Sequence, residues 1–188
     1  LPALVLPGVT IVVSPLVALM TDQVLDLNPV LGDRVRALVS MMPESMSRAG
    51  RAELAAELTG GAARGIKLVY VSPERFAQAS FRSWIDDAVA AGRVRRIVFD
   101  EAHTAVTWGD DFRPSYRRLT EHLHTLTAVA SNAGRHLAIS AFTATANRTV
   151  REGLRTRLFD LPAAVPPAGD RGNFTMVTAQ PIRPELAI

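Results

Sequence analysis

Two adjacent acids and a nearby histidine stand at the end of an apolar segment, in the run Asp100-Glu101-Ala102-His103. Nucleotide hydrolysis needs two carboxylates of this kind. One holds Mg²⁺, usually through water, and the other orients or deprotonates the attacking water. The alternative interpretation is an acid pair that caps the backbone N–H groups of a helix start. These four residues alone leave both interpretations open.

The segment that follows interleaves aromatic and basic side chains: Trp108, Phe112 and Tyr116 with Arg113, Arg117 and Arg118. Aromatic faces stack on unpaired bases with about 1–3 kcal/mol per base, while arginines hold phosphates. In the alternative interpretation Trp108 and Phe112 anchor the loop in the core, and Tyr116 lies on a buried helix face. Composition does not decide between a surface for single-stranded nucleic acid and a buried anchor.

Apolar runs that alternate with helical segments surround these residues. Continuous apolar, β-branched runs predict buried strands at 10–14, 35–39, 66–71, 96–100 and 137–142. Helices are predicted at 15–27, 44–58, 81–90, 114–129 and 148–158, with a loop at 102–113. This alternation predicts an α/β fold in which helices cover both faces of a parallel sheet.

Ligands of such sheets bind beyond the carboxyl ends of the strands. Polar motifs follow residue 13, residue 71 and residue 140, and the acid pair stands at residue 100. Because four strand ends converge on one edge of the sheet, we expect these motifs to form one site.

Composition excludes several classes of protein. The 188 residues are 48% hydrophobic and 21% charged, which is typical of a folded domain with one sizeable core. The chain has no cysteine, so a disulfide framework and a cysteine metal site are excluded, and a cytoplasmic location is expected. The first twenty residues are uncharged, but Pro2, Pro7, Gly8 and Pro15 interrupt them, so no membrane segment is expected.

The number of basic residues says little about nucleic-acid binding, whereas their type says more. The net charge is only +3, and Lys67 is the single lysine beside many arginines. Arginine suits phosphate oxygens, although a GC-rich genome also explains the bias.

Several ordered blocks make the pattern specific to a family. Residues 98–119 resemble the Walker B motif and aromatic-rich loop of RecQ-family helicases, which are superfamily 2 enzymes of the DEAH-box type. Residues 12–20, 70–75 and 141–146 resemble motifs Ia, Ib and III of that family, and 170–173 resemble its junction toward a second motor domain. The resemblance implies the first RecA-like motor domain of a 3′-to-5′ DNA helicase. Its cofactors would be ATP and Mg²⁺, and its partners single-stranded and duplex DNA.

The same resemblance implies catalytic roles around the acid pair. Asp100 would bind Mg²⁺, Glu101 would activate water, and His103 would link the nucleotide site to the DNA-facing parts. Thr143 and Thr145 would couple hydrolysis to domain movement, although both also fit plain strand-end hydroxyls.

It also implies a DNA-binding set. Trp108, Phe112 and Arg113 would sense single-stranded DNA. The residues expected along the DNA backbone are Ser14, Pro15, Ser72, Pro73 and Arg75. Helix capping is the alternative role of the two serines.

The chain also departs from the family. No G-x-x-x-x-G-K-S/T loop occurs, and Lys67 has no such setting, so the amides and lysine that hold nucleotide phosphates are absent. We interpret residues 1–160 as a partial motor domain of the P-loop NTPase fold without its P-loop strand, and 161–188 as a linker. We expect the 188 residues alone to fold poorly and to be inactive. Smaller departures are Thr21, 104–107 and Gly172.

Two other functions remain to be weighed. A helicase-like remnant would bind DNA or a protein partner without hydrolysis. A metal-dependent hydrolase would use Asp100, Glu101 and His103 with Asp110 or Asp111, but the histidine spacing does not match a metal-binding helix face. His122 and His124 are expected on a solvated helix face.

Overall fold

The β-branched run Val9–Val13 forms the fully buried central strand, β1, of a parallel sheet. The structure is a computed structural model that describes residues 2–32, 34–38, 56, 65–107, 114–145 and 147–159. Within these residues the other strands are β2 (Val35–Leu38), β3 (Leu68–Val71), β4 (Val94–Phe99) and β5 (Ala138–Ala141). Their spatial order is β2-β3-β1-β4-β5, and every pairing is parallel. The predicted parallel sheet is therefore confirmed.

Helices connect these strands. They are α1 (Pro2–Val5), α2 (Val17–Leu31), α3 (Ala79–Ala90), α4 (Thr104–Thr107), α5 (Pro114–Asn132) and α6 (Arg148–Leu154). A 3₁₀ helix, Pro73–Ala77, follows β3, and a π-helical turn, Arg155–Phe159, continues α6.

Apolar side chains on the two faces of the sheet form two cores. Ile11, Val13 and Phe99 face the larger core, which α3, α5 and α6 complete. Val12 and Tyr70 face the smaller core, which α1 and α2 cover. Side chains alternate between faces along a strand, so one strand contributes to both cores. The predicted helix layers on both faces are confirmed.

Several element boundaries differ from the sequence prediction, among them those of α2, of the loop at 102–113 and of the last helix. α2 begins at Val17 rather than at residue 15, and it ends at Leu31 rather than at residue 27. Pro29 lies inside this helix on an exposed side, and Gly32 closes the helix with a left-handed φ of 62°. The predicted loop 102–113 contains α4, and the last predicted helix divides at residue 155.

Some predictions lie outside the described residues. These are the helix at 44–58, apart from residue 56, and the linker at 161–188. The domain boundary at residue 160 therefore stays a prediction. No helix among the described residues is long and apolar enough to traverse a lipid bilayer.

Gly153 provides a test of packing between α6 and α4. A Cβ built at Gly153 would lie 2.5 Å from Cγ1 and 3.0 Å from Cγ2 of Val106. We expect Gly153→Ala to lower the free energy of unfolding by about 1 kcal/mol, because overpacking outweighs the helix propensity gained. Denaturant unfolding measures the change. Val106→Ala should restore stability in the double variant, and an equal loss in both backgrounds would contradict this contact.

Candidate active site

The turn after β4 is fixed by backbone hydrogen bonds to both neighbouring strand ends. The N–H of Asp100 donates to Val13 O at 2.9 Å, and the N–H of Ala102 donates to Phe142 O at 2.9 Å. The N–H of Phe142 donates in turn to Phe99 O at 2.8 Å. The predicted convergence of strand ends is therefore observed, and the acid pair lies at the carboxyl edge of the sheet.

Asp100 accepts two hydrogen bonds in this turn. The Ser14 hydroxyl donates to Asp100 Oδ2 at 3.3 Å, and the N–H of Glu101 donates to Asp100 Oδ1 at 3.0 Å. Burial, and secondly the negative charge of Asp100, raise the pKa of the Tyr70 hydroxyl above its usual value. Tyr70 therefore stays protonated beside the carboxylate, and sequence reasoning missed it because it reads as an ordinary strand residue.

Glu101 adopts a backbone conformation that side chains rarely adopt. Its φ is 46°, and no other non-glycine residue in the described part of the chain has a positive φ. A non-glycine residue in this region costs roughly 1–3 kcal/mol and persists only where its surroundings hold it. Thr104 holds it here, since its N–H and its hydroxyl both donate to Glu101 O, at 3.0 and 2.8 Å.

His103 bridges the acid pair and the end of β5. Its Nδ1 lies 3.2 Å from Glu101 Oε2 and 3.0 Å from Thr143 Oγ1. The Thr143 hydroxyl donates to Thr145 O at 3.1 Å, so its oxygen is left to accept from His103. These contacts assign the proton to Nδ1, where it is shared between a hydroxyl and a carboxylate. The predicted grouping of Glu101, His103, Thr143 and Thr145 is observed as a geometry.

The donor set fits Mg²⁺ held through water. Within the described ranges, no three His, Cys, Asp or Glu residues cluster closely enough to bind a metal directly. Mg²⁺ keeps several of its waters and takes one or two carboxylates together with substrate phosphates. Asp100, with one oxygen turned toward Ser14 and the other toward the turn, supplies one such carboxylate.

The predicted DNA-backbone residues present little side-chain surface. Ser14 and Ser72 are 1% and 2% exposed, Pro15 and Pro73 are also buried, and Arg75 is half-buried. The Ser14 hydroxyl turns toward Asp100 instead of outward. These four side chains therefore offer little exposed surface for direct contact. Their role along the DNA backbone stays a prediction, as does that of Arg75.

Of the residues predicted to form an aromatic and basic surface for single-stranded nucleic acid, the structure describes some and not others. Trp108, Phe112 and Arg113 lie outside the described residues, so their DNA-sensing role stays a prediction. Tyr116, which the sequence offered for base stacking, is buried, and its hydroxyl lies 2.8 Å from Thr104 Oγ1. The alternative, a buried helix face, is correct for Tyr116 because i, i+3 and i+7 spacing places it on the same face as Leu119 and Leu123.

The prediction of a solvated His122 was wrong. Its side chain is 10% exposed, and Nε2 lies 3.0 Å from Asp86 Oδ1 on α3. His124 is exposed, as expected. His122 borders a surface depression of about 320 Å³ between α3 and α5, which is lined by Arg82, Arg118, Glu121, His122 and Thr125.

Comparison with known proteins places the chain among helicases. Residues 2–153 match the family described as DEAD/DEAH box helicase. The mouse ATP-dependent DNA helicase Q5 is 40% identical over 155 residues, which are 81% of this chain and 14% of that protein. The RecQ helicase of Synechocystis is 37% identical over 84% of this chain and 31% of its own length. The chain thus spans less than a third of these relatives.

One solved structure shares the fold. The helicase MrfA of the DUF1998 group, described as bound to DNA and AMPPNP, superposes with a TM-score of 0.52 over 80% of this chain and 20% of its own. At 17% identity the likeness concerns the fold alone. It agrees with the predicted RecA-like α/β sheet.

The pair of His122 and Asp86 predicts a pH dependence of the α3–α5 interface. Burial lowers the pKa of His122 below 6.5, although Asp86 opposes the shift. Below this value the unfolded chain binds a proton that the folded chain resists, so stability falls as pH falls. Burial also raises the pKa of Asp86 above 3.8, which favours the folded state at more acidic pH.

We expect hydrogen-exchange protection factors of α3 and α5 to decrease several-fold from about pH 7.5 to about pH 5.5. His122→Gln should flatten this decrease, because the titrating group is removed. His124→Gln, on the exposed side of the same helix, is the matched control and should keep the wild-type slope. A steep decrease that survives in His122→Gln would assign the dependence to other groups.

Proposed function

Because the chain belongs to the DEAD/DEAH box helicase family, we propose that it forms the first motor domain of a RecQ-type, ATP-dependent DNA helicase. The observation that carries the proposal is the placement of Glu101 and His103 at the carboxyl edge, where His103 Nδ1 reaches both Glu101 and Thr143. A capped helix start would need neither the left-handed Glu101 nor this bridge.

The two acids have different tasks in the proposed reaction. Bound Mg–ATP supplies the phosphoanhydride bond that is hydrolysed. Asp100, fixed by Ser14 and by the N–H of Glu101, would hold the cation through water. Glu101 orients the attacking water and takes its proton. The Nδ1–H of His103 steadies the Glu101 carboxylate at 3.2 Å.

Coupling to DNA is proposed to pass through the same histidine. A movement of Thr143 and Thr145 changes the hydrogen bond at His103, and through it the position of the Glu101 carboxylate. Trp108, Phe112 and Arg113 are proposed to touch the single strand, with motion 3′ to 5′ and unwinding of duplex DNA. Ser14, Pro15, Ser72, Pro73 and Arg75 are proposed to follow the DNA backbone.

The remaining parts of the motor are also proposals. No G-x-x-x-x-G-K-S/T loop occurs in these 188 residues, so we propose that they do not hydrolyse ATP alone. A second RecA-like domain is the expected partner, and a cytoplasmic location, associated with the nucleoid in a bacterium, gives access to DNA. The second candidate is a remnant that binds DNA or protein without hydrolysis. ATP turnover by the complete protein separates the two.

Removing the proposed base provides the main test. In the complete protein that contains these residues, Glu101→Gln should lower DNA-stimulated ATPase kcat by about 10²–10⁴-fold. Binding of single-stranded DNA, measured by anisotropy, should persist. Glu121→Gln, an exposed acid paired with Arg117, is the control and should retain activity. Turnover near the wild-type rate in Glu101→Gln would remove Glu101 from catalysis. A wild-type protein without ATPase would favour the remnant.

The His103 bridge makes a second prediction. His103→Asn keeps an N–H donor near the position of Nδ1, whereas His103→Ala removes it. We therefore expect His103→Asn to retain more DNA unwinding per ATP hydrolysed than His103→Ala. A strand-displacement assay run beside an ATPase assay measures this ratio. Equal ratios in the two variants would show that the Nδ1 contact carries no coupling.

A further inference from the structure

Two buried hydroxyls connect the beginning of α5 to the backbone of Glu101. Tyr116 OH lies 2.8 Å from Thr104 Oγ1, and the Thr104 hydroxyl donates to Glu101 O at 2.8 Å. Thr104 and Tyr116 are only 4% and 5% exposed. We propose that Tyr116 and Thr104 are positioning residues that hold the left-handed Glu101 in its reactive conformation and make that conformation depend on the placement of α5.

The hydrogen bonds from Tyr116 through Thr104 to Glu101 form a relay. The number of available hydrogens sets the direction of donation in this relay. A threonine hydroxyl has one hydrogen, and that of Thr104 is directed to Glu101 O. Tyr116 is therefore the donor to Thr104 Oγ1. Donation by Tyr116 polarises the Thr104 hydroxyl and strengthens its bond to the carbonyl, and the effect is larger away from water.

The bond matters because Glu101 needs external support. With a φ of 46°, this residue relaxes toward common backbone regions unless its carbonyl and its neighbours are held. The N–H of Ala102 is bound to Phe142 O, and the carbonyl of Glu101 is bound only by Thr104 among the contacts described here. Loss of the Thr104 hydroxyl bond therefore loosens one side of the peptide that aims the carboxylate.

The other end of the relay lies on a helix that begins directly after residues 108–113. Tyr116 is the third residue of α5, whose first residue is Pro114. Ser115, beside it, donates to Glu74 Oε1 of the 3₁₀ helix at 3.3 Å. The first turn of α5 is thus held between the strand-end segment at 73–77 and the acid-pair turn. A shift of this turn would act directly on the hydrogen bond between Tyr116 and Thr104.

This inference rests on the proposed function, since it names residues that tune the proposed base. It also explains a departure noted in the sequence, because the threonine at 104 supplies the side-chain hydroxyl that the relay requires. Removing either hydroxyl should lower the occupancy of the reactive Glu101 conformation without changing how ATP is bound. The expected signature is a lower kcat with an unchanged KM for ATP.

Four variants of the complete protein test the relay. Tyr116→Phe and Thr104→Val should each lower DNA-stimulated kcat about tenfold, with KM for ATP within about twofold. Thr104→Ser keeps the hydroxyl and should stay near the wild-type rate. The double variant Tyr116→Phe/Thr104→Val should lose no more than either single variant, because both remove the same relay. Rates are normalised to the fraction of nucleotide-binding protein.

A matched control separates the relay from general loss of a buried hydroxyl. Thr127→Val removes a partly buried hydroxyl from the same helix, where it donates to Leu123 O at 2.9 Å. It should leave kcat unchanged. Hydrogen exchange provides a readout that is independent of turnover. The amides of residues 101–107 should exchange faster in Tyr116→Phe and in Thr104→Val than in Thr127→Val.

The experiments distinguish a failure of the relay from a failure of the proposed function. Wild-type kcat in Tyr116→Phe, or additive losses in the double variant, would overturn the relay while leaving the proposed function in place. If Glu101→Gln keeps its turnover, or the wild type has none, the proposed function fails. The exchange measurement then decides the relay by itself, and unchanged protection at 101–107 overturns it.

Discussion

The hydrogen bonds that bind the turn after β4 to β1 and β5 are the constraint on which the site depends. The N–H of Asp100 donates to Val13 O, and the N–H of Ala102 donates to Phe142 O, so each binds a neighbouring strand end. The residue between them, Glu101, has a left-handed conformation that these bonds and the two donors of Thr104 support together. Ser14, His103 and Thr104 then have fixed positions around the two carboxylates. This turn is bonded to buried strands, and their packing offsets the cost of the backbone conformation of Glu101.

Asp100 and Glu101 are held in different ways at the carboxyl edge of the sheet. Asp100 is held by two donors, the hydroxyl of Ser14 and the backbone N–H of Glu101. Glu101 is held mainly through its backbone, and its carboxylate meets a single described ring nitrogen. A fixed carboxylate suits the binding of a cation, and a carboxylate free to adjust suits proton transfer. Their different surroundings therefore correspond to the different tasks proposed for them.

Sequence reasoning recovered what depends on periodicity and on strand ends. The apolar runs at β1, β3 and β4 predicted buried parallel strands, and the acid pair was placed at the correct edge. Sequence reasoning left the partner undecided where a polar side chain can face either solvent or the protein interior. Ser14 and Tyr116 carry hydroxyls that suit either solvent or a buried partner, and only the packed structure supplies Asp100 and Thr104 as partners. His122 was misplaced for the same reason, since Asp86 on α3 is distant in sequence. The backbone angle of Glu101 has no local sequence signal at all.

The position of β5 in the sheet has a practical consequence. In the part of the chain that the structure describes, β5 pairs with β4 on one side and has no strand on the other. Its outer row of amide and carbonyl groups is a template for strand addition, and Phe142, 62% exposed, stands beside it. When no other segment covers such an edge, two copies of the chain can pair along it and aggregate. Handling these residues in isolation therefore calls for dilute conditions or a fused solubilising partner.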